Sequence, residues 1–207
     1  MVHISPSRLM HLRRASPDVS SWLLLLSLLV LVALGLVPAF GQPDTPAETV
    51  QLHVPNVLLL DQDGVRHRFA QDLIRGKVTV VSFVFTGCST ICSPVGANMG
   101  ALDKMLGPQV GAEVSLVSVT LDPFNDTPTR LAAWRRQFDD GPGWRLLTGD
   151  PDQVTKLLHA MRQDTADITR HDAFLWLGDP RSETWTRVSA LASPDALAAM
   201  IRRMEQK

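Results

Sequence analysis

The chain has 207 residues, of which 45% are hydrophobic, and its 20 basic and 21 acidic side chains nearly cancel to a formal net charge of −1. The charge is balanced and forms no basic run or stripe, which excludes the electrostatic pattern of a nucleic-acid-binding protein. From about residue 50 onward the chain has the length of one ordinary domain.

The N-terminal segment has the pattern of an export signal. Arg8, Arg13 and Arg14 precede an uncharged apolar run that extends from Trp22 to about Phe40. Positive charge before such a run keeps the N-terminus in the cytoplasm. The run is intermediate between a signal-peptide core and the roughly 20 residues that span a bilayer. We expect a cytoplasmic segment (1–21), a transmembrane anchor or signal peptide (22–40), a linker (41–50) and one domain (51–207).

An uncleaved anchor would hold the domain at the membrane, facing the periplasm or an equivalent extracytoplasmic space. Small residues near Ala39 and Gly41 also fit a signal-peptidase site. Cleavage there would secrete the domain instead.

Runs of β-branched, aromatic and aliphatic residues predict the strands of the domain. The predicted strands are 56–61, 65–69, 77–85, 113–121, 173–177 and 184–189. The Asp63-Gly64 pair favours a hairpin between the first two. Strands 77–85 and 113–121 are almost continuously apolar, which is typical of strands buried on both faces of a sheet.

Helices are predicted between these strands from their start signals. Thr127, Asp150 and Ser193 are each followed by proline, which is the pattern of an N-cap residue and the first helical position. The first of these helices is expected to run to about Phe138. Strands that alternate with helices predict an α/β domain with a central sheet that is parallel at least in part.

The two cysteines, Cys88 and Cys92, lie between the predicted strand 77–85 and a further helical pattern. Backbone N–H groups at a helix start stabilise a thiolate and lower its pKa. Ligands usually bind at the carboxyl ends of the strands of an open α/β sheet. If the first helical turn begins near Cys88, both sulfur atoms lie on one face, close enough to share a metal or form a disulfide.

Two thiolates are a soft ligand pair that suits Cu(I) or Zn, and such a pair commonly needs a third ligand. The domain offers four histidines. We interpret His53, His67 and His159 as ordinary surface residues. His171 directly precedes the predicted strand 173–177, and this position fits a metal ligand and a loop histidine equally well.

Two acidic residues, Asp122 and Asp126, follow the second core strand. They could lie near the cysteines. The favoured interpretation is that Asp122-Pro123 shapes a turn and that Asp126 supports the start of the next helix.

Several short motifs occur in the order and spacing of one known family. They are Asp61-Gln62-Asp63-Gly64, Gly76-Lys77-Val78, Phe83 to Cys88 with Cys92 four residues on, Val119 to Pro123 with Asp126-Thr127-Pro128, Leu147-Thr148-Gly149, and Phe174 to Pro180. From about Leu58 to the last helix the sequence resembles the SCO/SenC family of thioredoxin-fold copper proteins. The resemblance implies a thioredoxin-like fold, with a central mixed β-sheet flanked by helices.

The same resemblance implies that Cys88, Cys92 and His171 bind copper, with the thiolates holding Cu(I) and the imidazole helping with Cu(II). This sequence departs from the family pattern in having Ser89 and Ser93 where proline commonly follows each cysteine. The departures leave all three implied ligands in place.

By resemblance, the expected function is that of a copper metallochaperone that delivers copper to a membrane oxidase, at the CuA centre of cytochrome c oxidase. Its partners would be the oxidase subunit with the copper site and an upstream copper donor or thiol reductant. An enzymatic alternative is a thiol–disulfide oxidoreductase that reduces the cysteines of the same client. A thiol peroxidase and a purely structural disulfide are weaker alternatives.

Overall fold

The computed structural model describes residues 48–138, 141–163, 173–179 and 181–206. They belong to a compact unit that extends from Thr45 to Lys207. The predicted cytoplasmic segment and the predicted anchor or signal peptide lie outside the described residues. Within the described ranges, no helix is both long and apolar enough to cross a membrane.

The described residues form one mixed sheet of eight strands, which confirms the predicted α/β class. In the sheet the strands follow the order β1-β8-β7-β4-β5-β6-β2-β3. Strands β4, β5 and β6 are parallel to one another, and all other pairs are antiparallel. The strands are β1 Thr49–Gln51, β2 Leu58–Asp61, β3 Arg66–Arg68, β4 Val78–Val84, β5 Val114–Thr120, β6 Arg145–Thr148, β7 Phe174–Asp179 and β8 Thr184–Ser189.

Three of the helices that flank the sheet begin where the N-cap signals predicted. The Thr127 hydroxyl accepts a hydrogen bond from the N–H of Arg130, and Asp150 and Ser193 cap their helices in the same way. The helices are α1 Cys92–Leu106, α2 Pro128–Arg135, α3 Pro151–Ala160 and α4 Pro194–Glu205, with a π-helical turn at Phe69–Ile74 and a 3₁₀ turn at Gly107–Gln109.

Two strands and one helix end differ from the sequence-based predictions. Strands β1 and β6 were not predicted. They have only 3 and 4 residues, and they lack a turn signal such as the Asp63-Gly64 pair that marks the equally short β2 and β3. Helix α2 ends at Arg135 rather than near Phe138. After Arg135 the backbone continues in tighter turns, in which the N–H of Phe138 donates to the Arg135 carbonyl three residues back at 3.0 Å. The Phe138 ring packs against Trp134, with the ring centroids 4.6 Å apart.

The centre of the sheet is the pair β4 and β5. These strands pair in register along their whole length, from Val78 opposite Val114 to Val84 opposite Thr120, and every residue in both is buried. Polar side chains inside this pair are satisfied. The hydroxyls of Ser82 and Ser118 lie 2.6 Å apart, and the indole N–H of the buried Trp144 donates to Ser118 Oγ. The pairing sets the carboxyl ends of β4 and β5 side by side.

Helix α1, which starts at the second cysteine, packs against α4 and β4. Gly96 in α1 lies against the end of α2 and the segment that follows it. A Cβ atom at position 96 would lie 2.5 Å from the ring of Phe138 and 2.7 Å from the ring of Trp134. The absence of a side chain at Gly96 therefore lets helix α1 approach these rings closely.

A second close approach gives a test of the sheet packing. Gly178 in β7 lies opposite Trp185 in β8, and a Cβ atom at position 178 would lie 2.4 Å from the Trp185 ring. We expect Gly178→Ala to lower the free energy of unfolding by about 1–3 kcal/mol through overpacking. Replacing glycine by alanine also makes the unfolded chain less flexible, which by itself stabilises the folded protein by up to about 1 kcal/mol. The loss from overpacking is expected to exceed this gain.

Urea denaturation measures this loss, and Gly87→Ala is the matched control. The nearest atom to a Cβ at position 87 lies at 3.7 Å, an ordinary contact distance. A Gly178→Ala protein that unfolds at the same urea concentration as the parent would contradict the packing described here.

Candidate metal centre

The two cysteines lie at the carboxyl end of β4, on the loop that leads into α1. Helix α1 begins at Cys92, so Cys88 precedes the helix, and the condition that the first helical turn begins near Cys88 is not met. Pro94 explains the difference, because proline has no N–H and is accommodated only in the first turn of a helix. A helix that began at Cys88 would place Pro94 in its second turn.

The loop nevertheless brings the Cys88 sulfur to the helix start. The backbone N–H of Cys92 donates a hydrogen bond to Cys88 Sγ at 3.3 Å, and the Thr90 hydroxyl lies 3.7 Å from the same sulfur. Cys88 is half-buried and Cys92 is fully buried. The cysteines are free thiols in this structure, and the more accessible one lies at the helix N-terminus, as the sequence-based argument requires.

The two thiols differ in acidity. Burial raises the pKa of Cys88. This effect is outweighed by hydrogen bonds from the Cys92 side chain and from the backbone of Thr90 and Cys92, so the pKa lies below its ordinary value. The pKa of Cys92 is raised to about 12, first by burial and then by its hydrogen bond to Cys88. Cys88 is therefore the more readily ionised thiol of the pair.

Asp126 lies beside this loop, and its proximity to the cysteines is the feature that sequence reasoning underestimated. The side chain is 1% exposed. Its carboxylate accepts hydrogen bonds from the N–H and hydroxyl groups of Thr86 and from the hydroxyl of Thr120. The favoured interpretation, a residue that only supports the start of α2, is therefore wrong. The helix is capped by Thr127.

Asp122 shapes a turn, as expected. Its carboxylate accepts hydrogen bonds from the backbone N–H and the side-chain amide of Asn125. The turn carries Phe124, whose side chain is 83% exposed. Asp122 and Asp126 thus have different roles, although they are only four residues apart.

The histidines of the domain divide between exposed, half-buried and undescribed positions. His53 and His159 are exposed, in accordance with their interpretation as surface residues. His67 is not an ordinary surface residue, because its Nε2 lies 2.8 Å from Asp61 Oδ2 and its side chain is only 17% exposed. His171 lies outside the described residues, and its role as a ligand stays a prediction.

The donor set available at the cysteines suits a soft metal ion. Among the residues that the structure describes, no group of three or more His, Cys, Asp or Glu side chains comes together as a metal site. Cys88 and Cys92 supply two neighbouring sulfur atoms, one of them poised to ionise. Thiolates of this kind select Cu(I) and Zn over hard ions such as Mg²⁺ and Ca²⁺.

Comparison with known proteins gives close relatives of this domain. The SCO1 protein homolog of Bacillus subtilis is 36% identical over 93 residues, a segment that covers 43% of this chain and 45% of that relative. The chain thus spans less than half the length of that relative. A SCO1/SenC family lipoprotein from Bacillus anthracis has a similar structure, with 29% identity, a TM-score of 0.63 and coverage of 77% of this chain and 96% of that one.

The structure of yeast Sco1 with copper bound has the same fold. It is 23% identical to this protein, with a TM-score of 0.62, and the match covers 76% of this chain and 94% of the yeast chain. The SCO1/SenC family profile matches residues 47–206, which include every strand and helix described above. The chain belongs to the SCO1/SenC family.

Proposed function

We propose that this protein is a copper metallochaperone, which binds copper through Cys88, Cys92 and His171 and delivers it to the CuA site of cytochrome c oxidase. The observation that carries the proposal is the pair of free thiols at the carboxyl end of β4, with the Cys88 sulfur at the start of α1. Membership of the SCO1/SenC family and the copper in the yeast relative support copper as the cargo.

The chemistry of the thiols is consistent with a soft monovalent cargo. A metal binds the thiolate form of cysteine, so binding releases protons and strengthens as the pH rises. The pKa of Cys92, raised to about 12 by burial and by its hydrogen bond to Cys88, means that its proton is still present at neutral pH. Copper binding must therefore displace that proton. In the metal-free protein, burial and the retained proton keep the Cys92 thiol from reacting with solutes.

The proposed third ligand, His171, is supported by the place of β7 in the sheet. Strand β7 runs antiparallel to β4, with Leu175 opposite Ser82, and the Phe83 and Phe174 rings lie 5.7 Å apart. The start of β7 is therefore at the same end of the sheet as the cysteine loop. His171 precedes Phe174 by three residues, a distance of at most about 11 Å of extended chain.

The proposed partners are a membrane oxidase subunit with a copper site and an upstream copper donor or thiol reductant. We place the domain in the periplasm or an equivalent extracytoplasmic space, anchored through residues 22–40. The charge pattern of the N-terminal segment supports this orientation. If residues 22–40 are cleaved as a signal peptide, the domain is secreted.

A thiol–disulfide oxidoreductase is the second candidate, favoured by the contrast between the two thiols. The Cys88 thiolate would attack a client disulfide, form a mixed disulfide and release one client thiol. Cys92 would then lose its proton and attack the Cys88 sulfur, which releases the second client thiol and leaves a Cys88–Cys92 disulfide. The client gains two electrons, and an external dithiol must restore the pair.

The copper site is tested by anaerobic Cu(I) titration against a chromogenic competitor. The parent protein should bind one Cu(I). The Cys88→Ser/Cys92→Ser double variant should bind Cu(I) more than about 100-fold more weakly, because it loses both thiolates. Changing a residue that only contacts a metal ligand typically weakens metal binding by about 10–100-fold. His171→Ala should alter the Cu(II)-thiolate absorption band, whereas His53→Ala should not. Equal spectra for parent and His171→Ala would remove His171 from the ligand set.

The difference in acidity between the thiols is tested by alkylation with iodoacetamide, followed peptide by peptide. The Cys88 rate should rise with pH and level off at a lower pH in the folded protein than in concentrated urea, because the pKa of Cys88 is lowered by folding. Cys92→Ala removes a hydrogen bond to Cys88, so it should move this profile to higher pH. Cys92 should stay unmodified near neutral pH. Equal reaction of the two cysteines would contradict the proposed order of attack.

A further inference from the structure

Asp126 connects the ends of three neighbouring strands. Its carboxylate accepts from Thr86 N–H at 3.1 and 3.2 Å, from the Thr86 hydroxyl at 2.5 Å and from the Thr120 hydroxyl at 2.6 Å. Its backbone carbonyl accepts from the Thr148 hydroxyl at 2.7 Å. Thr120 and Thr148 are the last residues of β5 and β6, and Thr86 follows β4 by two positions. One residue thus joins the carboxyl ends of all three parallel strands.

The hydrogen-bond donors around the end of the Asp126 side chain require a group there that only accepts hydrogen bonds. The Thr120 hydroxyl oxygen already accepts a hydrogen bond from the N–H of Asp122 at 2.9 Å, so its proton is directed to the carboxylate. Thr86 supplies two further donors. An asparagine at position 126 would turn an N–H₂ group toward one of these donors and break the arrangement. Burying a carboxylate is costly unless such hydrogen bonds satisfy it, and here they do.

The network holds the start of the cysteine loop. Thr86 precedes Cys88 by two residues, and the Cys88 N–H donates to the Phe85 carbonyl at 3.2 Å, which makes this stretch a tight turn. Fixing both Thr86 donors to Asp126 therefore fixes the direction in which the loop leaves β4. The far end of the loop is held separately, because Cys92 is fully buried at the start of α1.

We propose that Asp126 is the positioning residue of the thiol pair: by fixing Thr86 to the ends of β5 and β6 it holds the Cys88 sulfur within reach of Cys92. Asp126 need not touch the metal to act in this way. For copper binding, the inference rests on the proposed function. It also applies to the metal-free protein, because a disulfide between Cys88 and Cys92 requires the two sulfur atoms to lie close together.

The test compares Asp126→Asn and Thr86→Val with Thr86→Ser, which retains the hydroxyl donor. The first readout is metal-free: the equilibrium constant of the Cys88–Cys92 disulfide in glutathione buffers. Asp126→Asn and Thr86→Val should make the disulfide about tenfold or more easier to reduce, because a looser loop lowers the effective concentration of one thiol at the other. The second readout is Cu(I) affinity, which should fall by about 10–100-fold. Thr86→Ser should have the disulfide equilibrium constant and the Cu(I) affinity of the parent, because it keeps the hydroxyl donor.

Asp103→Asn is the matched control for a purely structural effect. Asp103 is also 1% exposed, and its carboxylate accepts hydrogen bonds from the backbone N–H groups of Gly143 and Trp144 at 3.1 and 3.0 Å. It lies near the C-terminal end of α1, far from the cysteines along that helix. We expect Asp103→Asn to lower the stability of the protein to urea. Its Cys88–Cys92 disulfide should have the same equilibrium constant as in the parent.

Each outcome decides the proposal. It is overturned if folded Asp126→Asn and Thr86→Val keep the parent disulfide equilibrium within about twofold, or if Asp103→Asn shifts it as much as they do. If Asp126→Asn does not fold, Thr86→Val and Thr86→Ser carry the comparison alone. If the parent binds no copper, the metallochaperone proposal fails, and the disulfide equilibrium still accepts or rejects Asp126 as the positioning residue.

Discussion

The parallel pairing of β4 with β5 is the constraint on which the rest of the structure depends. Both strands are buried along their whole length and pair without a bulge, so one strand cannot slide against the other without breaking the ladder and the core together. Their carboxyl ends are consequently fixed side by side. The loops that leave those ends, one with Cys88 and the other with Asp126, meet for this reason. The site is thus a consequence of strand register rather than of local sequence.

Two chemically identical side chains acquire different properties because a helix begins between them. Pro94 excludes a helix start as early as Cys88, and α1 begins at Cys92, which leaves Cys88 on the loop with its sulfur at the first N–H of the helix. One thiol gains hydrogen bonds that favour its anion, and the other is enclosed in the core, where the anion is disfavoured. This difference in exposure and acidity between the two thiols suits both a metal carrier and a disulfide reductant, because in both cases one accessible sulfur reacts with the partner before the other.

The sequence alone predicted the features that depend on local pattern. The β-branched residues of β4 and β5 and the N-caps Thr127, Asp150 and Ser193 are of this kind, and the structure confirms them. Strand β6 was missed because its four residues are recognisable only beside β5. The role of Asp126 was underestimated because its partner Thr86 lies 40 residues away in the chain. Contacts of that separation are created by folding, and no local motif encodes them.

The close approach at Gly96 has a consequence for how this sequence can diverge. A side chain at position 96 would collide with the Phe138 ring, while a smaller residue at position 138 would leave a void beside α1. The Trp134 ring would lie only 2.7 Å from the same Cβ atom, so a smaller residue at position 138 does not by itself make room for a side chain at position 96. Two rings would have to move or shrink together. Position 96 is thus expected to remain glycine among descendants of this chain, although it does not belong to the thiol site.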